Sequence, residues 1–355
     1  MADARVVRLA EVLVDHSTKV KKGEKVLIAG DAAAAPLIKE IYRKVLQRGA
    51  FPITQITLTE FPRIFYDEAN DEQLENVEFS DMLYRYADVY IKIDADENKY
   101  GLSDIPPEKM QRRRKATKRL TEYLMAGGVR WVLTRYPTNA YAQDARMSLE
   151  QYEDFVYRAT NVDYGEMRRS MAQAAELFNK AEKVRIVGKE TDLTVDIAGR
   201  QAVLCSGEYN VPDGEFFFTP NHLLTEGAIY YDWPTSFGSR EVQGIRILFR
   251  QGKIVEYSAE KGQDVLEEAL NTDDGSRYLG ELGIGMNFGI DRPTQDILFD
   301  EKIGGSVHLA VGRAYEEAGV GNDSAIHWDM VKNLKDGGEI YLDGKLVQKN
   351  GKWVF

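Results

Sequence analysis

The chain has 355 residues, of which 43% are hydrophobic and 29% are charged, a composition typical of a globular protein with room for two domains. Its formal net charge of -11 disfavours a general nucleic-acid partner, because phosphate binding needs a basic surface. A single cysteine, Cys205, excludes an intramolecular disulfide and provides no cysteine metal motif; we expect a small buried hydrophobic residue there.

Strands and helices alternate in the first half of the chain. The apolar run EKVLIAG (24–30) predicts a strand, and PLIKEIYRKVLQRG (36–49) predicts the helix that follows it. Further segments are predicted in the same order, with strands at 52–59, 88–95 and 129–138 and a long charged helix at 107–128. Strands that recur between helices indicate βαβ units, so we predict a doubly wound, mostly parallel α/β domain over residues 1–185.

The pattern changes after about residue 184. VRIVGKETDLTVDIAGRQAV (184–203) alternates apolar and polar residues, as strands with one solvated face do. RQGK (250–253), LDGK (342–345) and KNGK (349–352) contain the glycine that tight hairpin turns require. We therefore predict an α+β domain rich in antiparallel strands over residues 186–355.

Several familiar site types are not supported by the sequence. RRRK (112–115) is interpreted as the solvated face of a helix, because the protein as a whole is acidic. GIGMNFG (283–289) is rejected as a dinucleotide loop, because Phe288 replaces the third glycine of that motif. Charges interrupt the N-terminal segment, and no apolar run of membrane-spanning length occurs, so we expect a cytoplasmic protein without a membrane partner.

Acidic and imidazole residues in glycine-rich or strand-edge contexts are the strongest chemical signal in the second half. They are Glu215 in PDGEFFFTP, Glu281 in LGELGIGMN, His308 in SVHLAVG, and His327 with Asp329 in DSAIHWDM. Taken singly, several have a structural alternative, which is a turn residue for Glu215 after Asp-Gly, a core histidine for His308 and an ion pair for the last two. His327 and Asp329 point to the same side if their segment is extended.

Taken together, these side chains are ligand types for two divalent cations bound by oxygen and nitrogen without thiolate. Two such cations can activate a water near neutral pH, polarise a scissile carbonyl and hold a substrate amine. The residues therefore favour metal-assisted hydrolysis over covalent catalysis. Several carboxylates are needed to offset the repulsion between two cations.

Longer stretches of the chain resemble the aminopeptidase T family of metalloaminopeptidases, the thermophilic type. The matching stretches are VKKGEKVLIAGDAAAAPLIKEIYRKVLQRGA, KETDLTVDI, NVPDGEFFFTP, YLGELGIGMN, HLAVGRAYEEAGVGNDSAIHWDM and GGEIYLDGKLV. Their order and spacing extend the resemblance over essentially the whole chain. It implies an enzyme that hydrolyses the N-terminal residue of peptides with a free N-terminus through a water activated by two metals.

The resemblance also implies a site, residue by residue. The metal ligands would be Glu215, Glu281, His308, His327 and Asp329, and Tyr315 would lie close to the metals as a ligand or as a hydrogen-bond donor to the oxyanion. Tyr315 and Glu281 are the expected catalytic residues, and both Glu281 and Asp329 are candidates for the bridging carboxylate. The cofactor would be two divalent ions per chain, with zinc, cobalt, manganese or magnesium all suitable for a carboxylate-rich shell. The family further implies a homodimer, and the ligand residues make residues 186–355 the expected metal-binding catalytic domain.

Two other functions compete with this one. Ring-cleaving non-haem iron dioxygenases of dihydroxypyridines resemble the same scaffold, and His308, His327 and Asp329 could form their mononuclear facial triad. Glu215 and Glu281 would then be superfluous. A non-catalytic protein that binds a small ligand or a partner is the third hypothesis, and it does not account for five ligand-type residues in the matching order.

Overall fold

The computed structural model describes residues 3–238 and 240–354. In chain order, the helices of these residues are α1 (Ala4–Glu11), α2 (Ala35–Gln47), α3 (Phe61–Glu68), α4 (Asp71–Glu75), α5 (Glu78–Tyr86), α6 (Pro107–Met125), α7 (Asn139–Asp144), α8 (Leu149–Thr160), α9 (Tyr164–Phe178), α10 (Gln263–Leu270) and α11 (Ile297–Asp300). The strands are β1 (Lys25–Asp31), β2 (Phe51–Thr57), β3 (Val89–Asp94), β4 (Arg130–Arg135), β5 (Lys183–Gly188), β6 (Thr191–Asp196), β7 (Val203–Cys205), β8 (Asn210–Val211), β9 (Glu215–Phe218), β10 (Glu226–Tyr231), β11 (Thr235–Phe237), β12 (Arg240–Val242), β13 (Ile245–Arg250), β14 (Lys253–Ser258), β15 (Leu279–Gly285), β16 (Ser306–Gly312), β17 (His327–Asn333), β18 (Glu339–Leu342), β19 (Lys345–Lys349) and β20 (Lys352–Trp353).

The first compact unit contains the residues up to Asn161 together with Gly207–Val211. Its sheet has the order β2-β1-β3-β4-β8, and every neighbouring pair is parallel. Consecutive residues of β1, from Val26 to Ile28, are buried, as expected for a parallel strand covered on both faces. Helix α2 has a proline in its first turn and buries Leu37, Ile41 and Val45, which share one helical face.

The basic run 112–115 lies in α6, as predicted, and two of its arginines contact other parts of the protein. Arg113 donates to the carbonyl oxygens of Leu74 and Asn76, and Arg112 forms an ion pair with Glu75 at 2.8 Å. These contacts tie α6 to the region of α4. The run is thus a helix face that is only partly solvated.

The second compact unit contains Val162–Ser206 and the residues from Pro212 onward. One of its sheets has eight strands in the order β14-β13-β10-β6-β5-β18-β19-β20, and another has five in the order β17-β16-β15-β9-β7. The pairs in both sheets are antiparallel. A parallel α/β unit and a second unit with antiparallel strands confirm the predicted fold class.

The division into compact units does not coincide with the predicted boundary between residues 185 and 186. Helix α9 belongs to the second unit, because Met171, Ala174 and Phe178 are buried in that unit's hydrophobic core. The short segment Gly207–Val211 returns to the first unit, where β8 pairs with β4. An amphipathic helix looks the same whichever unit it packs against, so the sequence pattern could not assign α9.

The five-stranded sheet of the second unit has one apolar face. Phe216, Leu282, Leu309 and Met330 are fully buried on that face and belong to the unit's core. Trp328 lies on the same side, where it packs against Phe237 with ring centroids 5.2 Å apart. Side chains alternate along a strand, so the other face of the same four strands is free to carry polar groups. Among the described residues, no helix is both long and apolar enough to span a membrane.

Candidate metal centre

The polar face of the five-stranded sheet brings the predicted ligands together. Glu281 pairs with Ala310, which pairs on its other side with Asp329, so the two carboxylates lie on one line across the sheet. His308 occupies the equivalent position opposite Gly283. With the alternation of side chains along each strand, this register places all five on one face: Glu215, Glu281, His308, His327 and Asp329.

The five side chains form two overlapping groups. Nε2 of His308 lies 3.1 Å from Oε2 of Glu215 and 3.0 Å from Oε1 of Glu281. Nε2 of His327 lies 3.2 Å from Oδ2 of Asp329 and 3.9 Å from Oε2 of Glu281. In each group, the three potential ligand atoms lie within 4.8 Å of one another. Glu281 belongs to both groups and turns a different oxygen towards each.

A glycine makes room for the His308 imidazole. A Cβ atom on Gly283 would lie 1.9 Å from Nε2 of His308, well inside any tolerable contact. Gly283 is therefore required where it stands because the ring lies directly over the backbone of β15. The glycine-rich context noticed in the sequence has a steric cause at this position.

A hydrogen bond at Nδ1 orients the ring of His327. Its Nδ1 lies 2.7 Å from the carbonyl oxygen of Arg313, which can only accept, so Nδ1 carries the proton of that hydrogen bond. Nε2 is then the ring nitrogen that faces Glu281 and Asp329. A backbone carbonyl that accepts from the second ring nitrogen is one of the usual partners that orient a metal-binding histidine.

Three carboxylate oxygens of the cluster have no hydrogen-bond partner within the described part of the chain. They are Oε2 of Glu215, Oε2 of Glu281 and Oδ1 of Asp329, and all three are buried. A buried polar atom left without a partner costs about 1–3 kcal/mol. A divalent cation between these oxygens and the two imidazoles would satisfy them, so the residues present fit a metal site.

The cluster perturbs its own pKa values. Burial lowers the pKa of His308, but the carboxylates of Glu215 and Glu281 outweigh it and raise that pKa to about 9. Burial likewise opposes the charged form of His327, while Asp329 raises the pKa of the ring to about 10. Burial raises the pKa of Glu281. Without a cation, protons on the two imidazoles compensate the negative charge of the carboxylates.

Tyr315 lies beside the cluster and is partly exposed. Its ring centroid is 4.5 Å from that of His327 and 6.0 Å from that of Phe217. The residue is 44% exposed, whereas the five candidate ligands are buried or nearly so. The ring thus contacts one candidate ligand and remains open to an incoming molecule.

Three residues near Glu215 were missed by the sequence analysis. Lys302 is fully buried, its Nζ lies 3.3 Å from Oε1 of Glu215, and it also forms an ion pair with Glu301. Burial opposes its charge, yet Glu215 and Glu301 hold the pKa of Lys302 well above its usual value. Potential ligand atoms of Cys205 and Asp213 lie within 4.8 Å of Glu215. Burial raises the pKa of the Cys205 thiol well above its usual value, which keeps it neutral.

The sequence model of the thermophilic metalloproteases, Peptidase M29, matches residues 2–353. The chain belongs to this family. Aminopeptidase T of Thermus thermophilus is 27% identical over 98% of the chain and 98% of the relative. Aminopeptidase 2 of Geobacillus stearothermophilus is 25% identical over 97% of the chain and 94% of the relative. Membership of the M29 family and these whole-length relatives confirm the predicted class, a metal-dependent aminopeptidase.

Solved structures share the fold of this M29 protein. Wild-type AmpT from Thermus thermophilus superposes with a TM-score of 0.85 at 23% identity, with 99% of both chains covered. A 2,5-dihydroxypyridine dioxygenase from Pseudomonas putida KT2440 superposes with a TM-score of 0.63 at 15% identity, over 100% of this chain and 98% of the other. The second likeness concerns the fold alone. The dioxygenase alternative therefore rests on a common scaffold, whereas the peptidase has the family match.

Proposed function

We propose that this M29 peptidase removes the N-terminal residue of peptides with two divalent cations per chain, one in each of the two groups that share Glu281. The position of Glu281 is the observation that supports two ions per chain. Its Oε1 faces His308 and its Oε2 faces His327, so one carboxylate can bridge two cations. A mononuclear site would need only one of the two groups.

The remaining side chains divide between the two positions. Glu215 and His308 would complete the first position, and His327 and Asp329 the second. Bound there, two cations would supply an activated water near neutral pH and polarise the scissile carbonyl. Zinc, cobalt, manganese and magnesium all suit this donor set of carboxylates and imidazoles.

Tyr315 is proposed to serve the substrate. Its ring packs against His327, and its exposed side faces the solvent from which a peptide arrives. A phenol in this position can donate a hydrogen bond to the carbonyl oxygen as negative charge develops on it. The carboxylates of the cluster favour the cationic N-terminus of a peptide, which supports a preference for peptides with a free α-amine.

Removal of one ligand tests the proposal. We expect His327→Ala to lose hydrolysis of leucine p-nitroanilide and to hold less metal, both measured on the purified protein after dialysis. His222→Ala is the matched control, because the His222 ring packs edge-on against Tyr278 and belongs to neither group. A His327→Ala protein that stayed active with its full metal content would contradict the assignment. One iron per chain with ring-cleaving activity would support the dioxygenase instead.

We further propose that the enzyme works as a homodimer in the cytoplasm. The dimer follows from the resemblance to the aminopeptidase T family, and light scattering behind gel filtration measures it directly. An acidic chain with one cysteine, and thus no internal disulfide, suits a reducing compartment. A monomer at micromolar concentration would contradict the first part of this proposal.

A further inference from the structure

Two lysines are almost completely buried among the described residues, and they have different surroundings. Lys302 is 0% exposed and Lys332 is 1% exposed. Nζ of Lys332 donates to Oδ2 of Asp232 at 2.8 Å, outside both candidate ligand groups. Lys302 instead contacts Glu215, a candidate ligand. Burying an ammonium costs several kcal/mol unless a partner compensates it. A carboxylate is that partner for both lysines, but only the partner of Lys302 is a candidate metal ligand.

The backbone of Lys302 is held rigidly beside the site. Its carbonyl oxygen accepts from the backbone N–H of Asn287 at 2.9 Å, and Gly304 donates to the carbonyl oxygen of Asn287 at the same distance. Gly285 lets this segment lie against β15, because a Cβ atom there would meet the carbonyl oxygen of Ile303 at 2.2 Å. These contacts anchor the segment of Lys302 next to β15, from which its side chain reaches Glu215.

The two oxygens of Glu215 consequently have different neighbours. Oε1 lies 3.3 Å from Nζ of Lys302, whereas Oε2 lies 3.1 Å from Nε2 of His308 and makes no hydrogen bond with any residue that the structure describes. We propose that Lys302 is a positioning residue that occupies one oxygen of Glu215, so that Glu215 offers only the other to a cation. This inference rests on the proposed metal site and assigns a role that the ligand set alone does not contain.

A ligand with one free oxygen affects the chemistry of the ion it binds. If both oxygens of Glu215 were available, the carboxylate could bind in bidentate fashion and take a position that water or the substrate needs. The lysine ammonium has three donor hydrogens and no lone pair, so it cannot itself become a ligand while it is charged. The ammonium also offsets part of the negative charge of the three candidate carboxylate ligands. Glu301, its second partner, also forms an ion pair with the ammonium.

Lys302→Met tests this role with cobalt as the probe. In the cobalt-loaded protein we expect weaker visible absorption than in the wild type, because a bidentate Glu215 raises the coordination number of one ion. We expect kcat for leucine p-nitroanilide to fall ~10-fold or more while KM changes less, as for other residues that orient metal ligands. Lys332→Met is the matched control, because it removes an equally buried ammonium from a place outside the cluster, and its cobalt spectrum should equal that of the wild type.

A double-mutant cycle with Glu215→Gln separates positioning from general destabilisation. If Lys302 acts through Glu215, Lys302→Met should change the cobalt spectrum and kcat far less in the Glu215→Gln background. The double variant removes the buried ammonium together with one of its two carboxylate partners, so it should unfold at a higher temperature than Lys302→Met alone. This measurement keeps the test valid if the single variant folds poorly.

Three results would overturn the inference. They are a wild-type cobalt spectrum and kcat in Lys302→Met, equal effects of Lys302→Met and Lys332→Met, and full additivity with Glu215→Gln. Failure of the proposed function would look different, since the wild type would then bind cobalt without cleaving peptides. The spectral comparison would still report on Lys302 in that case.

Discussion

Gly283 and His308 face each other across two paired strands, and a side chain on Gly283 would occupy the space of the His308 imidazole, with Cβ 1.9 Å from Nε2. The ring therefore reaches the carboxylates of Glu215 and Glu281 by lying over bare backbone. The site therefore depends on the absence of a side chain at Gly283 as well as on the ligands that the sheet presents.

Gly283→Ala should consequently displace the imidazole and disable the site. We expect a loss of metal from the group that contains His308 and a fall in activity of ~10- to 100-fold, the range seen when the surroundings of metal ligands are changed. Metal content and peptide hydrolysis measure the two effects. Gly188→Ala is the control, because its nearest neighbour would be an ordinary 3.5 Å from the new Cβ. Wild-type metal content in Gly283→Ala would contradict the geometry.

Glu281 and Glu215 should differ in how many ions they control. Glu281→Gln removes a ligand common to both groups, so we expect it to lose both ions, whereas Glu215→Gln should lose or weaken one. Elemental analysis after dialysis against metal-free buffer gives the number of ions per chain. Glu256→Gln, on the exposed side of β14, serves as the control. Equal losses in the two variants would show that Glu281 has no special position.

Much of this architecture could be predicted from local sequence. The strand at Lys25–Asp31 and the helix at Ala35–Gln47 lie where the apolar pattern placed them. HWDM is extended, and Asp329 is on the same face as His327, as the spacing of two residues required. These features depend on periodicity, which each short segment carries by itself.

The remaining features depend on contacts between segments distant in the chain. Lys302 in FDEKIGG has the local sequence of an exposed loop, and only the fold buries it against Glu215. The shared position of Glu281 follows from the register of β15 with β16, which no single strand encodes. For the same reason the sequence alone could not choose between Glu281 and Asp329 as the bridging residue.

Tyr315→Phe separates a ligand from a group that serves the substrate. The phenyl ring should keep its packing against His327 and Phe217, so only the hydroxyl is lost. We expect kcat to fall by ~100- to 1,000-fold with unchanged metal content, as when one donor to a developing oxyanion is removed. Steady-state kinetics and elemental analysis are run on the same preparation. Loss of one ion per chain would instead identify the phenol oxygen as a ligand.

Metal binding should release protons, because the cation and the protons compete for the same imidazoles. The pKa values of His308 and His327 in the metal-free protein are raised to about 9 and about 10, so both rings are protonated at neutral pH. A cation needs the neutral rings, and we therefore expect the two rings to release about two protons per chain near pH 7, in addition to the proton lost by an activated water, and apparent affinity to rise as pH increases towards 9. Above about pH 10 the rings are already neutral, so release from them should cease.

Titration calorimetry in buffers of different ionisation enthalpy counts the protons. His222→Ala should leave the count unchanged, and an affinity independent of pH between 6 and 9 would contradict metal binding by these two histidines.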